Sequence, residues 1–328
     1  MRLIQNLMDQ LIADQYSDLY ILPNENGYQL LAMPKNQSTW KLLKQVDAAQ
    51  GRQIISFFKY CANMTTSEHR RPQGGSWRWQ GRNHQPVDLR LSTIGDFLSR
   101  ESLVIRFIYQ LDIHQYQVAF PDQWTELQQL TVQRGLILFA GPMGSGKTTT
   151  MYRLAGEQAN RHLVMTIEDP IEIRDSRFLQ LQINRAAGMD YQALLTAGLR
   201  HHPNTFIIGE IRDRETAEMA IQASLSGHLV LATIHARNAK GVIARLQDLK
   251  IDHYYLDESL TGICYQRLLP LMNGQSAVLF EMLYGTQLIK QLAKPEIGGI
   301  SNDWQEKLTQ LQTQKQIGRE TLKRFWQG

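Results

Sequence analysis

One stretch has the residue types and spacing to hold a nucleotide's phosphates: Gly141-Pro142-Met143-Gly144-Ser145-Gly146-Lys147-Thr148-Thr149-Thr150. It satisfies the pattern G-x-x-x-x-G-K-[ST]. Glycines in this pattern let backbone N–H groups turn toward phosphate, at a helix start whose dipole favours anions. Lys147 would bring a compact positive charge to the outer phosphates, and the Thr148 hydroxyl is the expected Mg²⁺ ligand. The pattern needs a buried strand before it and a helix after it. Residues 135–140 are an apolar run of strand length, and residues 151–159 are compatible with a helix. The block therefore reads as a nucleoside triphosphate site and not as a bare glycine turn.

Two acidic turns lie downstream. Thr166-Ile-Glu168-Asp169-Pro170-Ile-Glu172 follows a candidate strand, where the carboxyl ends of a doubly wound sheet place ligands. A carboxylate there can orient or deprotonate water beside the γ-phosphate. Pro170 rules out a regular helix, so the acids do not share a helical face. Taken alone, the turn serves equally well as solvated surface. The second is Thr205-Phe-Ile-Ile-Gly209-Glu210-Ile-Arg212-Asp213, an apolar strand ending in an acid, the position of a carboxylate near Mg²⁺. Two acidic strand ends after one phosphate loop strengthen each other. His228 and His235 bracket a further strand; seven residues apart they face opposite sides, which argues against joint metal binding. Each alone reads as a structural histidine. In the first third of the chain, Arg90 shares a polar strand face with Asp88 and Ser92. Arg106 alternates with Val104 and Ile108, where a charge requires a buried or interfacial partner.

The elements that would carry these residues fall into two groups. The chain has 328 residues, a natural length for two domains. The first stretch reads as an amphipathic helix, with Leu3, Ile4, Leu7, Met8, Leu11 and Ile12 at helical spacing. Gln5, Asn6, Asp9 and Gln10 break the apolar stretch that a secretion signal requires. Strands are expected over 18–22 and 28–33, a helix over 51–62, a turn-rich segment over 70–76, a hairpin through Trp77, Trp79 and 87–92, and a strand over 102–108. This predicts a mixed α/β domain over 1–110 and a linker over 111–121. From there strands (135–140, 162–167, 205–208, 228–234) alternate with helices (124–133, 147–159, 191–199, 215–225, 239–246), which predicts a parallel sheet. Residues beyond about 252 are expected to be mainly helical, within a second domain over 122–328.

Composition excludes several classes. With 35 Lys+Arg against 31 Asp+Glu and no long basic run, the charge is no nucleic-acid signature. Cys61 and Cys264 lack CxxC partners, which leaves no four-cysteine zinc site and no disulfide framework, so a reducing cytoplasm is the default. No apolar run approaches the ~18 residues of a membrane-spanning helix.

The ordered set GPMGSGKTTT, IEDPIE, LRHHPNTFIIGEIRD, GHLVLATIHA and YQRL resembles the secretion-ATPase superfamily. Its motors drive type II secretion, type IV pili and the competence pseudopilus of DNA uptake. Residues 17–21 and 88–93 are similar to N-domain signatures of the same family, so the resemblance spans the chain. It implies an α/β fold of two domains, an N-terminal PAS-like domain and a RecA-like ATPase domain with a mainly parallel sheet and a helical C-terminal part. It also implies ATP and Mg²⁺ as ligands, a cytoplasmic homo-hexamer, and an inner-membrane platform protein as partner. Residue by residue, it makes Glu172 the catalytic glutamate of the acidic box 168–172, with Glu168 and Asp169 beside the nucleotide. Glu210 becomes the metal-side acid with Thr148, and His228 and His235 contact nucleotide. Arg90 and Arg106 match arginines that reach a neighbouring subunit's nucleotide; Arg100 matches less well. The family's Asp-Pro-Asp before the second acidic strand reads His202-Pro203-Asn204, and a four-cysteine zinc module common in assembly motors has no counterpart. Asp88-Leu-Arg-Leu-Ser-Thr93 resembles the assembly branch, whereas residues 288–292 only partly resemble the retraction signature. The nearest likeness is the competence-pseudopilus assembly ATPase of Gram-positive bacteria. The alternatives are a retraction or type II secretion ATPase, a nucleic-acid translocating motor, and a nucleotide-gated switch.

Overall fold

The computed structural model describes residues 2–34, 39–81, 86–109, 117–295 and 298–328, with only the backbone of Arg2, Leu3 and Ala186. The chain forms two compact units, Met1–Gln110 and Leu111–Gly328.

The first unit runs α1 (Arg2–Ala13), β1 (Tyr16–Asn24), β2 (Gly27–Pro34), β3 (Lys41–Val46), α2 (Ala48–Cys61), β4 (Gln73–Trp79), β5 (Val87–Gly95) and β6 (Glu101–Ile108). Its sheet, ordered β3-β2-β1-β6-β5-β4, is antiparallel throughout. Alternation decides its faces. Leu89 and Leu91 of β5, and Leu103, Ile105 and Phe107 of β6, turn into one core with Ile4, Met8 and Leu11 of α1 and Ile54, Ile55 and Phe58 of α2. The intervening residues, Arg90 and Arg106 among them, lie on the open face. Lys59 of α2 is fully buried and paired with Glu101, whose other oxygen stands 2.9 Å from His69 Nδ1.

The second unit runs β7 (Gln117–Val118), α3 (Pro121–Leu130), β8 (Gly135–Ala140), α4 (Lys147–Gln158), β9 (Val164–Glu168), β10 (Leu179–Gln182), α5 (Tyr191–Leu199), β11 (Thr205–Ile211), α6 (Arg214–Leu225), β12 (Leu229–Ile234), α7 (Ala239–Asp248), α8 (His253–Ser259), β13 (Leu260–Pro270), β14 (Ser276–Tyr284), α9 (Gly285–Ala293), α10 (Asn302–Thr313) and α11 (Arg319–Phe325). The strand order is β10-β9-β11-β12-β8-β13-β14-β7, parallel except for the β13–β14 hairpin. Each central strand feeds both faces. Ile137 and Phe139 pack with α3 and α4, while Leu136, Leu138 and Ala140 pack with α5, α6, α7 and the C-terminal helices. Because β8, β9, β11 and β12 are parallel, their carboxyl ends share one edge, and the residues that follow them meet there.

Several expectations need correction. Among the described residues the C-terminal part has four helices, but β13 and β14 sit inside the sheet. Both are buried on two faces, so their apolar runs carry no period that separates strand from helix. The Asn273-Gly274 step between them, with Gly274 at φ +82°, was the available hairpin signal. Strands β3 and β10, at sheet edges, also lack clear alternation. Residues 73–76 are not turn: Gly74 and Gly75 belong to β4, and a Cβ on Gly75 would meet Met64 at 2.7 Å. Within the expected linker, Gln117–Val118 pair with β14, and Ala119 N–H donates to the Val278 carbonyl. The remainder of that linker, 111–116, lies outside the described residues.

Candidate functional site

The phosphate loop joins β8 to α4. Gly141 (φ +144°), Gly144 (φ +76°) and Gly146 (φ +84°) all adopt backbone conformations that a side chain opposes, and Gly146 is the residue from which α4 starts. A Cβ on Gly141 would also sit 2.5 Å from the Gln266 carbonyl. The loop is held from below by β13: the buried Gln266 Nε2 donates to the Ser145 carbonyl at 2.7 Å. Pro142, Met143 and Gly144 are exposed, with Met143 almost fully so. Thr149 is half-buried in the first turn of α4.

Three charged groups converge on the start of α4. Lys147 Nζ donates to the carbonyls of Gly141 (2.8 Å) and Pro142 (3.0 Å). Burial pulls its ammonium below the ordinary value, and the charges of Glu210 and then Glu172 oppose that shift. Thr148 Oγ1 donates to Glu172 Oε2 at 2.9 Å, which places that carboxylate on the hydroxyl expected to ligate Mg²⁺. Glu210, near the end of β11, accepts from Arg212 Nε and stands 3.0 Å from His235 Nε2.

The acidic box divides by burial. Glu172 is exposed at the loop, whereas Glu168 is 2% exposed and accepts from Tyr152 Oη. Burial pushes the Glu168 carboxyl up to about 7, with the Tyr152 hydrogen bond opposing. Glu168 thus turns into the interior against α4, which corrects its expected place beside nucleotide. Asp169 is exposed and lines a cavity of about 280 Å³ with Tyr191, Glu210 and Arg212.

The histidines divide by strand direction. Leu229 pairs opposite Gly135 and Ile234 opposite Ala140. His228 therefore lies at the amino edge of β12, about 20 Å from the phosphate-loop edge at 3.3 Å per residue. Its Nδ1 stands 2.7 Å from the Pro203 carbonyl, and its ring meets Phe206 edge-on. His228 is structural within the chain, and only His235 joins the site.

The arginines belong to the first unit. Arg90 and Arg106 stand opposite each other on β5 and β6, and Arg106 Nε donates to Asp18 Oδ1 at 2.8 Å. Arg100 donates to Asp96 in its own turn and to the Asn24 carbonyl. Sequence reasoning missed Tyr152, Gln266 and Arg212 as members or supports of the site. Gln266 had a signal, since a glutamine wholly inside an apolar strand needs partners, but that strand was itself not recognised.

The family model described as type II/IV secretion system protein matches residues 1–322. Competence protein ComGA of Streptococcus pneumoniae is 43% identical over 254 residues, covering 77% of this chain and 79% of that protein. ComGA of Bacillus subtilis is 38% identical over 309 residues, covering 87% and 85%. Among solved structures, the pilus retraction motor PilT with bound ADP superposes with a TM-score of 0.73 at 23% identity, over 97% of this chain and 95% of that one. The ATPase DotB of Legionella pneumophila superposes equally well at 17% identity, over the same shares. These two likenesses concern the fold.

Proposed function

The chain belongs to the type II/IV secretion system protein family, and from that premise we propose that it is an ATP-hydrolysing motor assembling a competence pseudopilus. The observation that carries the reading is the hydrogen bond from Thr148 to Glu172 at the start of the helix that follows three positive-φ glycines. The residues fit ATP with Mg²⁺. Three glycines at positive φ open the loop backbone to phosphate, and a hydroxyl and a carboxylate flank the lysine. Thr148 and Glu210 would hold the cation, and Gly141 to Thr149 the phosphates. When bound, Mg²⁺ supplies neutralisation of charge on the outer phosphates.

The protein's own groups divide the remaining work. Lys147 exchanges two carbonyl acceptors for phosphate oxygens, so its charge is never left without partners. The Thr148 oxygen would offer a lone pair to the cation while its O–H keeps donating to Glu172 Oε2, which leaves Glu172 Oε1 to accept from the attacking water. Glu172 is then a general base, a role that contributes about 10²–10⁴ in rate. His235 orients Glu210. Arg90 and Arg106 act on the nucleotide of a neighbouring subunit in a homo-hexameric ring. That ring works in the cytoplasm against an inner-membrane platform protein. No helix among the described residues is long and apolar enough to cross a membrane.

The test is turnover against binding. Lys147→Ala should abolish hydrolysis with an unchanged melting temperature, since Lys147 serves the loop and no core. Glu172→Gln should keep ATP·Mg²⁺ affinity and lose about 10²-fold or more in kcat. Near-normal turnover in either variant refutes the assignment.

A further inference from the structure

Thr148, Tyr152 and Gly156 are spaced four apart on α4, so they form one stripe of the helix that begins at the phosphate loop. All three touch the same segment, residues 168–180, which carries Glu172. Thr148 donates to Glu172 itself. Tyr152, fully buried, donates its hydroxyl hydrogen to Glu168 Oε1 at 2.5 Å and accepts from Gln180 Nε2 at 2.8 Å. Its ring packs on Phe178 with centroids 5.3 Å apart. At Gly156 the carbonyl accepts from Arg177 at 2.9 Å, and a Cβ there would lie 2.7 Å from the guanidinium.

Gln180 carries the linkage back toward Glu172. Its Nε2 also donates to the Ile173 carbonyl at 2.7 Å, and its Oε1 accepts from the Asp175 N–H at 3.0 Å. A single hydroxyl thus ties together the strand end before Glu172, at Glu168, and the backbone just after it, at Ile173. We infer that Tyr152 and Gln180 are positioning residues, docking segment 168–180 on the stripe of α4 so that Glu172 is held against Thr148. The phosphate loop and the water-activating acid then sit on one rigid body, although they follow different strands. The inference rests on Glu172 acting in hydrolysis as proposed above.

Tyr152→Phe removes the hydroxyl and keeps the ring against Phe178. Displacing an acid by a fraction of an ångström to 1 Å costs about 10- to 100-fold in rate. Steady-state hydrolysis and binding of a fluorescent ATP analogue with Mg²⁺ should show kcat lowered by that amount. KM and analogue affinity should stay within about twofold, the pattern of an interaction that matters only in the transition state. Gln180→Met should do the same, and it answers the question if the tyrosine variant fails to fold. The double variant should be no slower than the worse single variant, because both cut one linkage. Unchanged kcat in both, beside an inactive Glu172→Gln, overturns the inference alone. Effects that multiply, or equal losses in affinity and kcat with a lowered melting temperature, also overturn it. A fully active Glu172→Gln overturns the site reading on which it rests.

Discussion

Replacing Arg106 by Ala separates a catalytic arginine from a structural one, provided the two costs differ in size. Arg106 Nε donates to Asp18, which is only 6% exposed, while the arginine side chain is itself 59% exposed. Solvent screens so open a partner, which discounts the pair to about 1 kcal/mol. In a unit of this size that lowers a melting temperature by roughly 4–8 °C. An arginine reaching a neighbour's nucleotide contributes about 10³–10⁵ in kcat, or roughly 4–7 kcal/mol. Hydrolysis should therefore fall by at least about 10³-fold well below the melting transition, with ATP binding kept. Arg106→Lys should recover the stability through Asp18 but not the rate, because an ammonium lacks the planar fork. Mixing then tests trans donation. In rings assembled at random from equal amounts of Arg106→Ala and Lys147→Ala chains, about one ordered interface in four joins an intact arginine to an intact phosphate loop, as neighbouring subunits share each site. If sites fire independently, activity should rise to about a quarter of the unmodified protein's, far above either parent. Native mass spectrometry must show mixed rings. Mixed rings with hydrolysis no higher than the parents refute donation in trans.

Glu210→Gln should impair hydrolysis in a way that added Mg²⁺ partly restores, whereas Glu172→Gln should not respond; a Mg²⁺ titration at saturating ATP showing the reverse would exchange their roles. Glu168, raised by burial from the ordinary 4.5 to about 7, binds a proton in the folded state that the unfolded state has lost. Its contribution is therefore fully present below the unfolded value and disappears as pH rises through about 7, by up to roughly 3 kcal/mol. The stability difference between the unmodified protein and Glu168→Gln, followed by urea unfolding, should show this slope; a pH-independent difference would refute it. Lys59→Met takes the ammonium from the buried Glu101, leaving it the His69 ring, and should cost about 3 kcal/mol, with Lys59→Met/Glu101→Gln recovering part of it; no change in urea midpoint would refute the pairing. Binding to DNA should be weak and steeply salt-dependent, with little stimulation of hydrolysis, and tight binding at physiological salt with strong stimulation would favour a translocating motor.

What the sequence by itself determined is local. The strand, glycine turn and helix over 135–158 were legible because they are a backbone conformation of contiguous residues: three glycines at positive φ, then a lysine and a threonine, between an apolar strand and a helix. Apart from the edge strand β10, the alternation of strands with helices over 135–246 was legible for the same reason, since period and caps act within a few residues. Asp190, Asp213 and Asn238 each accept from the first turn of the helix they begin. Tertiary structure decided where side chains of like chemistry lie. Glu168 and Glu172 are indistinguishable as letters, yet one is buried on Tyr152 and the other faces Thr148. His228 and His235 look equivalent until the parallel pairing of β12 with β8 sends them to opposite edges of the sheet. Gln266 supports Ser145 from 121 positions along the chain, in a strand whose apolar run showed no period. Burial, and with it protonation and hydrogen bonding, depends on which strands become neighbours. No window of sequence contains that choice, because free energy gained by contacts between distant segments makes it.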